Sequence, residues 1–231
     1  MLDDYSFKGR LLRALLGRRG AAVVHMGDEA GRRDLALVRE THGLAPLLVQ
    51  DASALQILAC ARACRGLGGA MAEAGVFAGA SARLICEAKG DAPLHLFDVF
   101  ETLQAPQAAT AESEHAAAVR RHFRTAHGTR AAVERLLAPY PGVQVHAGVF
   151  PDTAKGLEDE RFSFVHLDLD LAPSTRDALE FFHPRLLPGG IIVADDFNDP
   201  GVRGTFDAYF AGRADTIVAL PWGQGIAVKH A

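Results

Sequence analysis

Four aspartates hold the densest chemistry in this chain. Phe164-Val165-His166-Leu167-Asp168-Leu169-Asp170 and Ile191-Ile192-Val193-Ala194-Asp195-Asp196 are apolar runs that each end in two carboxylates, separated by a helix-length segment closed by Pro188-Gly189-Gly190. Buried strands of a parallel sheet read as nearly continuous apolar runs, and ligands bind outside their carboxyl ends. Two such ends side by side gather four acidic groups, which repel one another and in part take up protons. A hard divalent cation, Mg2+ above all, relieves that repulsion with oxygen ligands. Asp168 and Asp170 are two apart, so on an extended segment both face one side, and one can bind metal while the other accepts a proton. Plainer readings stand beside this one. Asp195 and Asp196 could cap the following turn or pair with Arg203, and Asp170 could cap the next helix in place of Ser174 or Thr175. His166, inside a strand, reads as a satisfied core histidine. His115, His122 and His127 have no ligand spacing to a fixed partner.

A second candidate site lies upstream. Ala70-Met71-Ala72-Glu73-Ala74-Gly75-Val76-Phe77-Ala78-Gly79-Ala80-Ser81 reads as a strand, a G-x-x-x-G turn and a helix start. The G-x-G-x-x-G of a dinucleotide site, which seats a pyrophosphate on a helix N-terminus, is missing. S-adenosylmethionine has no phosphate and needs only close backbone approach, which Gly75 and Gly79 permit, with Ser81 placed to hydrogen-bond its carboxylate. Asp98 ends the next strand, 23 residues past Gly75, where an acidic group accepts hydrogen bonds from ribose hydroxyls. A loop or cap aspartate is the simpler alternative.

These residues need a frame. From Gly69 onward the pattern predicts strands at 70–74, 94–98, 143–147, 163–168 and 190–194, with helices at about 80–89, 129–138 and 174–186. That alternation marks a doubly wound, mostly parallel Rossmann-like sheet with helices on both faces. Asp215–Leu220 and Gly225–Lys229, joined by Pro221-Trp222-Gly223-Gln224, read as a C-terminal antiparallel hairpin that brings the sheet to seven strands. Upstream, weak strands are suggested at Ala21–His25 and Ala45–Val49, and a helix capped by Asp51 or Ser53 runs to about Arg65. The expected division is an N-terminal helical or cap segment, 1–65, and a main domain, 66–231, with a lid-like insertion at about 99–128.

Bulk properties narrow the class. The 231 residues are 49% hydrophobic, enough for one α/β domain, and the net charge of −4 argues against a nucleic-acid partner. Arg10, Arg13, Arg18 and Arg19 among leucines suggest a docking helix, with membrane-surface contact the alternative. The run is too short and too weakly apolar to span a membrane. Cys60, Cys64 and Cys86 lack a CxxC spacing and read as small core residues of a cytoplasmic protein.

Taken together, the motifs resemble the macrocin O-methyltransferase (TylF/MycF-type) family of class I S-adenosylmethionine-dependent enzymes over about residues 66–229. Glu73–Ser81 resembles the family's E-x-G-V-[FWY]-x-G-G-S, and Leu96–Glu101 its strand ending in D-[ST]-F-E. Gly148–Thr153 resembles G-x-F-P-D-T, His166–Leu171 resembles L-D-x-D-L-Y, and Pro188–Phe197 resembles P-G-G-x-I-x-x-D-D-Y. The resemblance implies metal ligands at Asp168, Asp195 and Asp196 and a general base at Asp170. It places Glu73, Gly75, Phe77, Ser81, Asp98 and Gly148 around S-adenosylmethionine. The expected activity is metal-assisted O-methylation of a hydroxylated sugar or natural-product-like acceptor, with a homo-oligomer possible.

The chain departs from the family at Ala172-Pro173, where Tyr-Glu is usual, at Thr102-Leu103-Gln104 in place of G-L-P, and at Ala80. The first two departures bear on the pocket mouth. They keep open a degenerate, cofactor-binding relative; a nicotinamide-dependent oxidoreductase is the other alternative, disfavoured by the missing fingerprint and the hairpin.

Overall fold

A computed structural model describes residues 26–100 and 128–230. The chain divides into two units, Met1–Ala36 and Leu37–Ala231. In the first, Asp28 Oδ1 accepts the Gly31 N–H at 2.7 Å and Glu29 pairs with Arg33 one turn on. In chain order the helices are α1 (Glu29–Leu44), α2 (Asp51–Cys64), α3 (Ala80–Lys89), α4 (Arg130–Leu137), α5 (Ala172–Arg185) and α6 (Pro200–Phe210). The strands are β1 (Ala70–Ala74), β2 (Leu94–Asp98), β3 (Val143–Ala147), β4 (Phe162–Leu167), β5 (Leu186–Ala194), β6 (Thr216–Ala219) and β7 (Gly225–Val228).

All seven strands join one sheet in the order β3-β2-β1-β4-β5-β7-β6. The first five are parallel, and β7 runs antiparallel between β5 and β6. The expected doubly wound sheet with its terminal hairpin is therefore the fold. β1 and β4 are buried at every position, which is why their sequences are mostly apolar, broken only by Glu73 in β1 and by Ser163 and His166 in β4.

Side-chain alternation sorts the strands into two cores. Met71, Leu94, Leu96, Phe164 and Val193 pack under α2, α3 and α4, with Ile57, Leu58, Ile85 and Val133. Ala70, Ala72, Ala74, Phe97, Val165 and Ile192 face α5 and α6, with Phe182 and Phe206. The three alanines of β1 leave room on that side for large rings. Phe182 meets Phe97 and Phe162 there edge-on, with centroids 5.8 and 5.1 Å away. Cys60, Cys64 and Cys86 are buried free thiols, and burial pushes those of Cys64 and Cys86 up to about 12, as befits core residues.

Several local expectations are corrected. Residues 45–49 form no strand. The residue before α2 is Gln50, and neither Asp51 nor Ser53 caps it; Asp51 instead faces His42 at 3.1 Å. β5 begins at Leu186, not 190, because Leu186 already pairs with Phe162 before the register shifts around Pro188-Gly189-Gly190. The basic N-terminal stretch, the strand at 21–25 and most of the 99–128 insertion, with its three histidines, lie outside the described residues.

Candidate active site at the strand ends

The carboxyl ends of β1, β2, β4 and β5 meet on one rim of the sheet. At β1, Gly75 has φ +90°, and a Cβ there would lie 1.7 Å from the Asp168 carbonyl oxygen. Only glycine fits, because the turn after β1 presses against the backbone that follows β4. The Asp168 N–H donates to the Ala74 carbonyl at 2.9 Å, fixing the same contact. The turn is shaped from the other side by Asp98. Its Oδ2 accepts the N–H groups of Val76 and Phe77, both at 2.7 Å, and its Oδ1 accepts that of Phe100, also at 2.7 Å. A carboxylate has about four acceptor positions, so three backbone donors still leave capacity for a ligand. Ser81 lies nearly buried in the first turn of α3, behind Gly79, whose φ of +82° starts the helix. Gly148 follows β3 with φ +136° and donates its N–H to the Asp98 carbonyl at 2.9 Å.

The acidic residues of the two strand ends converge as expected, though by another route. Asp168, Asp170 and Asp196 each offer an oxygen within 4.8 Å of the others. The segment after β4 is not extended: Asp170 sits at φ +57° and Asp196 at φ +52°, so left-handed turns, not strand alternation, aim both side chains inward. Burial, then the charges of Asp195 and Asp170, push the Asp168 carboxyl well above its usual range. Burial and a hydrogen bond with Asp196 push Asp170 up to about 8. The α6 cap and the pair with Arg203 belong to other residues. Asp199 caps α6 by accepting from Gly201 and Val202, and Arg203 faces Asp207. Leu171 precedes α5 without a side-chain cap, while the Thr175 hydroxyl donates to the Leu171 carbonyl.

One oxygen of Asp195 is engaged from behind the site. Its Oδ2 lies 2.9 Å from His166 Nε2, and His166 Nδ1 lies 2.7 Å from Glu73 Oε1. Glu73 and His166 are fully buried, so Glu73 sits beneath the site inside the sheet. Burial alone would lower the His166 pKa, but its bonds to Asp195 and Glu73 outweigh that and raise it well above 6.5. His166 is thus a satisfied core histidine, as its sequence suggests, and also the support of a site carboxylate. The missed signal was Glu73, a carboxylate in the middle of a buried strand, which requires a cationic or protonated partner. Asp168, Asp170, Asp195 and Asp196 line a cavity of about 240 Å³ with Leu48, Val49, Gln50, Ser53, Asn198, Trp222 and Gly223.

A sequence model of the macrocin O-methyltransferase family (TylF) matches residues 49–217. The chain belongs to the macrocin O-methyltransferase family. One curated relative is 36% identical over 103 residues. It is the 8-demethyl-8-(2,3-dimethoxy-alpha-L-rhamnosyl)-tetracenomycin-C 4'-O-methyltransferase of Streptomyces olivaceus, and the match spans 44% of this chain but only 39% of that protein. Among solved structures, the O-methyltransferase NovP superposes with a TM-score of 0.72 at 19% identity, covering 87% of this chain and 98% of that one. The O-methyltransferase TomG of Streptomyces achromogenes, solved with S-adenosylmethionine, gives 0.53 at 19% identity over 98% of this chain and all of its own length. At such identities the two structures establish the shared fold.

Proposed function

We propose that the chain is an S-adenosylmethionine-dependent O-methyltransferase acting on a hydroxyl of a sugar or small natural-product-like acceptor. The observation that carries this reading is the contact at Gly75, where the turn shaped by Asp98 presses on the backbone of Asp168. A methyl donor held on one side of that contact faces an acceptor held on the other. Gly75, Phe77, Ser81, Asp98 and Gly148 would hold the donor, with Glu73 bracing the turn from below. The family match, and the rhamnosyl substrate named for the relative, support the donor and the acceptor class. The match and the terminal hairpin count against a nicotinamide enzyme.

Methyl transfer is an in-line displacement, so the protein must chiefly align the nucleophile and exclude water. The acceptor oxygen forms a bond to the methyl carbon as the carbon–sulfur bond breaks, and S-adenosylhomocysteine leaves. Asp170 takes the hydroxyl proton, one of its oxygens lying within 4.8 Å of oxygens of Asp168 and Asp196. The donor set also fits Mg2+ or a similar hard ion, since three carboxylate oxygens converge within 4.8 Å. Asp168 and Asp196, two of those three, would hold it together with Asp195, which lines the same cavity, and when bound it would lower the pKa of the acceptor hydroxyls.

Calorimetric titration of S-adenosylhomocysteine into the protein with magnesium chloride tests the reading. One-site binding at micromolar strength is expected, followed by transfer of labelled methyl groups to glycosides. No binding at millimolar ligand would overturn it.

A further inference from the structure

Three of the four acids at the strand ends bring oxygens within 4.8 Å of one another, and Asp195 is the one outside that group. The reason lies beneath it. Asp195 lines the cavity with its side chain only 10% exposed, and its Oδ2 lies 2.9 Å from His166 Nε2. His166 belongs to β4, where it stands in register with Glu73 of β1 on one side and Val193 of β5 on the other. Its Nδ1 lies 2.7 Å from Glu73 Oε1. The hydrogen bonds therefore cross three neighbouring strands and end on one oxygen of a cavity acid. Glu73 Oε2 is buried without a partner among the described residues, so the bond to His166 is what Glu73 adds here. A buried carboxylate oxygen left unsatisfied is rare enough to need a reason, and holding the imidazole supplies one.

A carboxylate held in this way is a restricted ligand. With Oδ2 fixed from behind, Asp195 has one oxygen to give a cation. Turning both oxygens to the same ion would draw Oδ2 off the imidazole. That restriction discriminates between hard cations. Mg2+ demands a near-ideal octahedron of single oxygens at about 2.0–2.1 Å and keeps several waters. Ca2+ takes roughly six to eight oxygens at longer distances and accepts both oxygens of one carboxylate. We infer that His166, held in place by Glu73, is a positioning residue that keeps Asp195 a one-oxygen ligand and so sets the cation choice of the site, toward Mg2+ and against Ca2+. The inference rests on the cation assigned within the methyltransferase reading and adds what selects it.

Calorimetric titration of the protein with Mg2+ and with Ca2+, each in the presence and absence of S-adenosylhomocysteine, reads that choice. One site that prefers Mg2+ is expected in the parent. His166→Leu alone strands Glu73, so the informative variant is Glu73→Leu/His166→Leu, which removes the bond to Asp195 and the buried carboxylate together. There Mg2+ should bind about tenfold or more weakly while Ca2+ holds or tightens, raising the Ca2+-to-Mg2+ affinity ratio at least about tenfold. Glu73→Gln leaves a hydrogen-bonding partner on Nδ1, so Nε2 stays on Asp195 and the parent ratio should hold. A merely structural role would weaken both cations together and leave the ratio where it was. The inference is overturned if the double variant keeps the parent ratio, or if Glu73→Gln shifts it equally. It is also overturned if the parent prefers Ca2+ or binds neither ion. Absence of S-adenosylhomocysteine binding would break the methyltransferase reading instead, and the cation titrations made without that ligand would still decide the choice.

Discussion

His95 and His166 lie in the same sheet, are equally inaccessible to solvent, and behave in opposite ways. His95, in β2, faces the α5 side and stacks with His146 at a centroid distance of 5.3 Å; its Nδ1 meets His146 Nε2 at 3.0 Å. Burial, with His146 beside it, lowers its pKa. His166, on the other face, lies between Glu73 and Asp195, which raise its pKa well above 6.5. Burial disfavours charge at both positions, so neighbours decide the sign. Where the neighbours are rings, the imidazole is an aromatic packing unit. Where they are carboxylates, it is a cation that lets a buried acid sit close beneath one at the rim.

The largest effect should come from deleting that cation. His166→Leu leaves Glu73 buried without a partner, and urea unfolding should show a loss of about 3–5 kcal/mol. Adding Glu73→Leu should restore part of it. A His166→Leu protein as stable as the parent would erase the contrast between the two histidines.

Asp195→Asn should come next, with methyl transfer and Mg2+ affinity down by about 10–100-fold and S-adenosylhomocysteine affinity unchanged. The same titrations on Asp170→Asn sharpen the assignment. If that change weakens Mg2+ more than Asp195→Asn does, the three convergent carboxylates are themselves the ligand set.

His95→Phe should cost less than about 1.5 kcal/mol in the same urea assay, because a ring of similar shape replaces a neutral one among aromatics. The smallest effect is a slope. His95 and His146 both bind protons more weakly folded than unfolded, so their contribution to stability is complete above pH 6.5 and is lost as pH falls below it. For His166 the sign is reversed: its contribution is complete below 6.5 and is lost only as pH rises through its raised folded value. Thermal melts from about pH 7.5 down to 5 should therefore show a shallower acid decline in the His95→Phe/His146→Phe double variant than in the parent.

Much of this frame was readable from the residues. β1, β2 and β3 fall where expected, because glycine or aspartate ends each run; β1 and β2 are buried on both faces, and the edge strand β3 is only partly buried. β5 was read short because Pro188-Gly189-Gly190 looks like a terminator, yet the strand pairs on both sides of it. The convergence of Asp168, Asp170 and Asp196 followed from strand order, but the left-handed turns that achieve it are only weakly signalled by an aspartate. The bonds from Asp98 to three backbone N–H groups, and the link from Trp222 through Gln224 to Ser53, join parts of the chain that no local pattern connects.

The left-handed turns also bear on how such a chain can change. At Asp170 and Asp196 a glycine would relax the backbone, by on the order of 1 kcal/mol each, while deleting the carboxylate. One base change converts an aspartate codon into a glycine codon. A lineage released from the need for this chemistry would thus find, at either position, a single step that firms the fold and silences the site together. In this chain both positions are aspartate, and the path to a sturdier, inert descendant is short and downhill.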